Sequence, residues 1–102
     1  MGWRIPSQFE MELLASYDIE ALKTTTGWIV SGTDATGFSA LPGGMYSVSA
    51  NRYCDIPGSA YFWTTACGPI EASDGHISYY CNSVLNELQL KGDGMSIRCI
   101  KN

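Results

Sequence analysis

Apolar and polar residues change their period along this chain. In "PSQFEMELLASY", Phe9 and Leu13, with Leu14 beside them, recur at helical spacing and predict one apolar helix face. Ser7 and Glu10 stand three residues apart, the signature of a capping box: the hydroxyl takes an orphan backbone N–H while the carboxylate reaches back. Pro6, just before, suits a chain entering a helix, so a helix is predicted over about Ser7 to Ser16. Asp18 can cap a second, shorter helical turn through "IEALK", ending before "TTTG". After Gly27, short apolar pieces are separated by turn chemistry in "SGTDATG", "LPGG", "IPGS" and "CGPIEASDG".

The last third alternates with period two. "NELQLK" sets Leu88 and Leu90 against Glu87, Gln89 and Lys91, and "MSIRCI" sets Met95, Ile97 and Cys99 against Ser96 and Arg98. Asp93-Gly94 between these runs predicts a two-residue hairpin, because a type I′ turn needs positive φ at both central residues. Asp74-Gly75 predicts another turn before "HISYYC". The expected fold class is α+β: N-terminal helices, a long loop region, and an antiparallel C-terminal sheet. No internal repeat or low-complexity segment interrupts it.

A length of 102 residues makes this one domain, and 45% hydrophobic with 16% charged residues places it among globular chains. Six Tyr and eleven Gly against only six Lys plus Arg suit a surface of Tyr, Ser, Asn and Gly, the residues that dominate recognition loops. A net charge of −4 without a basic cluster excludes nucleic acid as a natural partner, since that affinity rests on neutralising phosphates. No apolar run is long enough to span a bilayer, so no membrane insertion by this domain is expected. The opening residues read as folded sequence, so no signal peptide is expected within them.

Candidate chemistry is sparse. "TGFSALPGG" has the look of a phosphate loop, but such a loop needs a helix N-terminus behind its glycines and usually a Lys. Here "MYSVSANRY" follows without a cap or a Lys, so the stretch reads as a corner, with Phe38 and Leu41 as core pegs. Cys54, Cys67, Cys81 and Cys99 allow two disulfides in three connectivities, or free buried thiols, a state that suits Cys99 on an alternating strand. Zinc is disfavoured, with no Cys-x-x-Cys pair and His76 as the only imidazole. His76 and Cys81, five apart, fall on opposite faces of a strand, which leaves His76 as a surface residue in an Asp-Gly turn. Asp55, Asp74 and Asp93 sit beside Pro or Gly turn chemistry, the usual place for solvated Asp. No cofactor or metal is expected.

"GWRIPSQFEMELL", "LKTTTGW", "GTDATGFSALPGG", "AYFW" and "GMSIRCI", in this order from Gly2 to Lys101, resemble the Fibrobacter succinogenes major paralogous domain family. The resemblance implies a C-type-lectin-like fold, related to that of the formylglycine-generating sulfatase-modifying enzymes, and makes "TGFSALPGG" a fold signature. It also implies an extracellular or cell-surface location on bacteria, in a secreted or lipid-anchored protein. Family members often carry a Cys just before the "GW", where it is expected to bridge to the Cys of the "RC" ending. Cys99 is present here and that partner position is not, so the chain is expected to be the C-terminal part of a longer exported protein. The sequence also departs from the family at Trp63-Thr64-Thr65-Ala66 and at Gly94-Met95-Ser96, where flexible Met replaces an aromatic. The "EPN", "QPD" and "WND" signatures of calcium-dependent sugar binders are absent.

These readings converge on a non-catalytic recognition or adhesion module whose ligand is a protein or glycan on another cell or surface. Its candidate face comprises Tyr46, Asn51, Arg52, Tyr53, His76, Tyr79, Tyr80, Asn82 and Asn86. C-type-lectin-like domains also serve as variable proteins of diversity-generating retroelements, and Cys67 to Asp93 is where such variation would fall. The alternatives are an enzyme related to the sulfatase-modifying family, marked by a reactive thiol, and a purely structural surface domain.

Overall fold

A computed structural model describes residues 2–78 and 84–101. The chain begins with a short strand β1 (Trp3–Arg4), followed by α1 (Gln8–Glu12), a 3₁₀ turn (Leu13–Ser16) and α2 (Ile19–Leu22). A long irregular stretch leads to the hairpin β2 (Met45–Ser47) and β3 (Arg52–Cys54). The main sheet is antiparallel in the order β4 (Ser59–Cys67), β5 (Glu71–Ser78), β6 (Leu85–Leu90), and β7 (Ile100–Lys101) returns to pair with β1. The α+β class and the largely antiparallel pairing are as expected. No described helix is long and apolar enough to cross a membrane.

The helix start forms as predicted. Glu10 N–H donates to Ser7 Oγ at 3.1 Å, and Ser7 N–H donates to Glu10 Oε1 at 2.9 Å. Arg4 adds a two-pronged guanidinium contact to the same carboxylate, at 2.7 and 2.6 Å. The Arg4 hydrogen bonds, and after them the Ser7 N–H, hold the Glu10 carboxyl down at about 2. A carboxyl lowered on folding stabilises fully above its ordinary value of 4.5, and the contribution is lost as pH falls from there through about 2. Urea unfolding over that window should therefore show wild type losing stability more steeply than Glu10→Gln. Parallel slopes would contradict this.

The helix turns a different face inward from the one expected. Phe9 and Leu13 are 69% and 56% exposed, whereas Met11 is buried and Leu14 packs against the core. The α-helix runs only five residues before tightening into the 3₁₀ turn, so no long 3.6-residue stripe develops. What sets the rotation is Gly75: a Cβ there would lie 3.1 to 3.3 Å from three Met11 side-chain carbons. A bare strand backbone at this point admits the helix.

This also corrects the reading of Asp74-Gly75. The pair is not a turn but the middle of β5, where Gly75 faces Phe62 on β4 and Asn86 on β6. The core around it comprises Ile77, Ala60 and Phe62 of the sheet, Met11, Ile19 and Leu22 of the helical segment, with Trp28, Ala40 and Val84.

"NELQLK" is a strand as expected, but its partner is β5 and not "MSIRCI". Residues 95–99 form no strand. Ser96 makes one parallel bridge to Phe62, accepting from Trp63 N–H at 3.1 Å and donating to Tyr61 O at 3.1 Å, and the chain then leaves to reach β1. Cys99 is consequently exposed, not a buried thiol. Leu88 and Leu90 are likewise exposed at the sheet's edge.

The "TGFSALPGG" corner is tied to the residues on either side of it. Asp34 accepts Ser39 N–H and Ser39 Oγ–H at 2.8 and 2.6 Å, and Gly44 N–H donates to Ser59 O at 2.8 Å. Phe38 meets Phe62 edge-on at 6.0 Å, as a core peg should, but Leu41 is exposed. Ahead of the corner, Lys23 is buried with its ammonium donating to Val30 O at 2.6 Å and lying 5.1 Å from the Trp28 ring centre. Burial lowers its pKa from the ordinary lysine value, and nearby Glu20 opposes the shift.

Candidate functional site

The β2–β3 hairpin brings together four of the expected site residues. Residues 48–51 connect the strands, and Asn51 takes φ of +55°, a left-handed conformation that Asn tolerates better than most residues. Ser47 Oγ accepts Ala50 N–H at 3.2 Å and fixes the turn from inside. Tyr46 and Tyr53 are cross-strand partners on one face, their rings edge-to-face with centroids 5.1 Å apart. Tyr46 Oη–H donates to Asn51 Oδ1. Tyr53 is left 71% exposed, a rigid ring held by its neighbour and open to solvent.

Strand alternation places Ser47 and Arg52 on the other face. Each face lines a cleft. The aromatic face borders about 310 Å³ between Tyr46, Tyr53 and the Gly94-Met95-Ser96 segment. The polar face borders about 400 Å³, lined by Ser47, Arg52, Asp55, Glu71, Gln89 and Asp93 among others.

The hairpin is bolted to the body of the domain by the Asp93-Gly94 pair. Gly94 and Tyr46 exchange backbone hydrogen bonds of 2.8 and 2.9 Å, and Asp93 Oδ1 accepts Val48 N–H at 2.9 Å. Asp93 is therefore buried, where a solvated turn residue was expected. Asp55 is exposed as expected, and it accepts the Tyr61 hydroxyl at 2.7 Å.

Behind the polar cleft lies a buried polar centre absent from the sequence reading. Asp74 is 0% exposed and its carboxylate accepts three hydrogen bonds: from Glu87 N–H at 3.0 Å, Gln89 Nε2 at 3.0 Å and His76 Nδ1 at 3.2 Å. His76 Nε2 lies 3.9 Å from Glu87 Oε1, and the ring packs at 5.0 Å on Tyr61. Gln89 thus reaches Asp74 while also lining the polar cleft.

Two expectations are corrected here. His76, 1% exposed, is not a surface residue of an Asp-Gly turn and cannot touch a ligand. Asp74 is not solvated. Both point away from α1 on a strand whose two faces are covered, and burial of the pair is satisfied by cross-strand donors rather than water. Asn86 is half-buried on β6, its Oδ1 enclosed without a partner among the described residues. Tyr79, Tyr80, Asn82 and Cys81 lie outside the described residues.

Cys54, Cys67 and Cys99 are free thiols. Cys54 Sγ reaches only its neighbour Arg52 O, at 3.7 Å, and the Cys67 and Cys99 thiols have no hydrogen-bond partner among the described residues. No group of three or more His, Cys, Asp or Glu among the described residues is placed to hold a metal ion.

The sequence reading missed Asp55, Glu71, Gln89 and Asp93. The unbroken run "EASDGHIS", free of Pro, was the available hint that a strand, and not a turn, carries Asp74 and His76. No family model matches this chain, and no curated protein or solved structure matches it.

Proposed function

We propose that this domain is a non-catalytic recognition module of C-type-lectin-like architecture, working outside the cell or at a bacterial cell surface. The β2–β3 hairpin is its contact element. The observation that carries the reading is the pairing of an exposed, pre-ordered Tyr53 with a cleft on each side of one short hairpin. Tyr supplies broad contact area at small entropic cost, and the backbone bonds from Gly94 remove much of the cost of ordering the loop. A glycan fits this chemistry best. An oligosaccharide that straddles the hairpin can rest the C–H face of one sugar on Tyr53, while on the opposite face Arg52 donates to, and Asp55 and Glu71 accept from, the hydroxyls of another.

The enzyme reading has less support. None of the three described thiols hydrogen-bonds to an imidazole, and His76, the only imidazole in the sequence, is buried beside Asp74. If the domain is one that a retroelement diversifies, the burial of residues 72–78 confines useful variation to exposed positions such as Glu71, Leu88 and Lys91.

A glycan-array and cell-surface binding screen tests the proposal, run on wild type and on Arg52→Ala and Tyr53→Ala. Wild type is expected to bind, and each variant to lose roughly tenfold or more, as removal of a central aromatic or Arg anchor does. Failure of folded wild type to bind any glycan or cell surface overturns it and favours the architectural alternative. A ligand bound equally by all three proteins places recognition elsewhere.

A further inference from the structure

A third cleft lies between the N-terminal helical segment and residues 98–101, and its chemistry differs from the hairpin's. It measures about 260 Å³ and is lined by Pro6, Met11, Leu14, Phe38 and Ile100, with Glu10, Arg98, Cys99 and Lys101 at its margins. Pro6 and Met11 are buried, and Leu14 and Phe38 half-buried, so the floor is apolar.

The charges around this floor are unbalanced. Glu10, its only acidic lining residue, is already occupied by both prongs of Arg4 and by the Ser7 N–H. Arg98 sits over the Phe38 ring, with Cζ 4.3 Å from the ring centre, and no carboxylate pairs with it or with Lys101 among the described residues. The Arg98 guanidinium makes no side-chain hydrogen bond among the described residues, so its N–H groups remain available for a two-pronged contact. An apolar floor under two uncompensated cations stands out on a chain of net charge −4.

We propose that this cleft binds a small monocarboxylate with an apolar body, the hydrocarbon or ring lying on Met11, Leu14 and Phe38 and the carboxylate meeting Arg98, with Lys101 adding charge. The volume falls below the roughly 300–1,000 Å³ of pockets that hold drug-sized molecules, which fits a short fatty acid or a phenyl-substituted short acid. The site is separate from the hairpin and does not rest on the recognition reading.

Cys99 offers a reporter, since it is exposed and lines the cleft, while Cys67 is exposed on β4 outside it. The full chain would be alkylated in the presence of octanoate or 3-phenylpropionate, with 1-octanol, 3-phenylpropanol and inorganic phosphate as controls. Mass spectrometry would follow each cysteine, and the Met11 methyl resonance would be recorded alongside. The acids should protect Cys99 saturably and shift Met11 at concentrations up to about 1 mM, leaving Cys67 unaffected. The matched alcohols should be weaker by roughly tenfold or more, as loss of a charge-assisted hydrogen bond implies, and Arg98→Gln should weaken the acids equally.

Acids and alcohols acting alike, or Arg98→Gln binding as wild type, would overturn the proposal by reducing the site to an apolar hollow. Phosphate acting as well as the acids would overturn it as well, by removing the role of the floor. Protection of Cys67 in parallel, or no response of either reporter up to about 10 mM acid, would equally end it.

Discussion

Replacing Asp74 with Ala is expected to cost about 3–5 kcal/mol of folding stability, the loss seen when one member of a buried polar pair is deleted and its partners are stranded. The Glu87 N–H and the Gln89 amide, both in half-buried hydrogen bonds, would lose their acceptor, and so would His76 Nδ1 in a place water does not reach. Against the 5–15 kcal/mol typical of a domain, this leaves a marginal fold. Asp74→Asn should cost less, about 1–3 kcal/mol, because a carbonyl oxygen in the Oδ1 position still accepts from Glu87 N–H and His76 Nδ1, and the new amide meets only the Gln89 donor. Urea denaturation midpoints of the three proteins check the order. Wild-type stability in Asp74→Ala would mean that the strand does not hold this carboxylate inside.

Gly44→Ala should be comparably damaging, at about 3 kcal/mol or more. The residue sits at φ of +63°, where an L side chain costs about 1–2 kcal/mol by itself. Its Cβ would also fall on the Cys54 carbonyl oxygen and against Ile56, so the β3 end of the hairpin must move. Gly37→Ala supplies the internal comparison. Gly37 has a similar φ of +76° but nothing within 4 Å of the added carbon, so only the conformational cost of about 1 kcal/mol applies. Equal thermal shifts in the two variants would show that the corner is not packed against the hairpin. The contrast bears on function as well, because Gly44 is where the scaffold meets the element that carries Tyr46 and Tyr53.

What could be read from the sequence was local. The capping box formed because Ser7 and Glu10 reach each other across one turn, whatever surrounds them. "NELQLK" formed a strand because its period of two is its own property. Asp74-Gly75 was misread because its meaning is supplied from afar: two of the three donors to Asp74 lie 13 and 15 residues onward, and the reason for a glycine is Met11 on another element. Asp93-Gly94 carries turn chemistry too, yet its partners are Val48 and Tyr46 rather than a strand at residues 95–99.

The helix face failed in the same way, with Phe9 and Leu13 correctly spaced but displaced by the contact that Met11 makes at Gly75. At the candidate site, Tyr46, Asn51, Arg52 and Tyr53 stood out by residue type and lie on one hairpin. Glu71, Gln89 and Asp93 join them only because β5, β6 and the turn after β6 come alongside in space.

The measurement that bears most directly on the recognition proposal is amide shift mapping of the labelled domain with a glycan recovered from the array. The expected perturbations fall on residues 45–55 and 93–96 and on Glu71 and Gln89, with α1 and the interior of β5 unchanged. Shifts centred instead on residues 6–14 and 98–101, or scattered without a centre, would contradict a binding role for the hairpin.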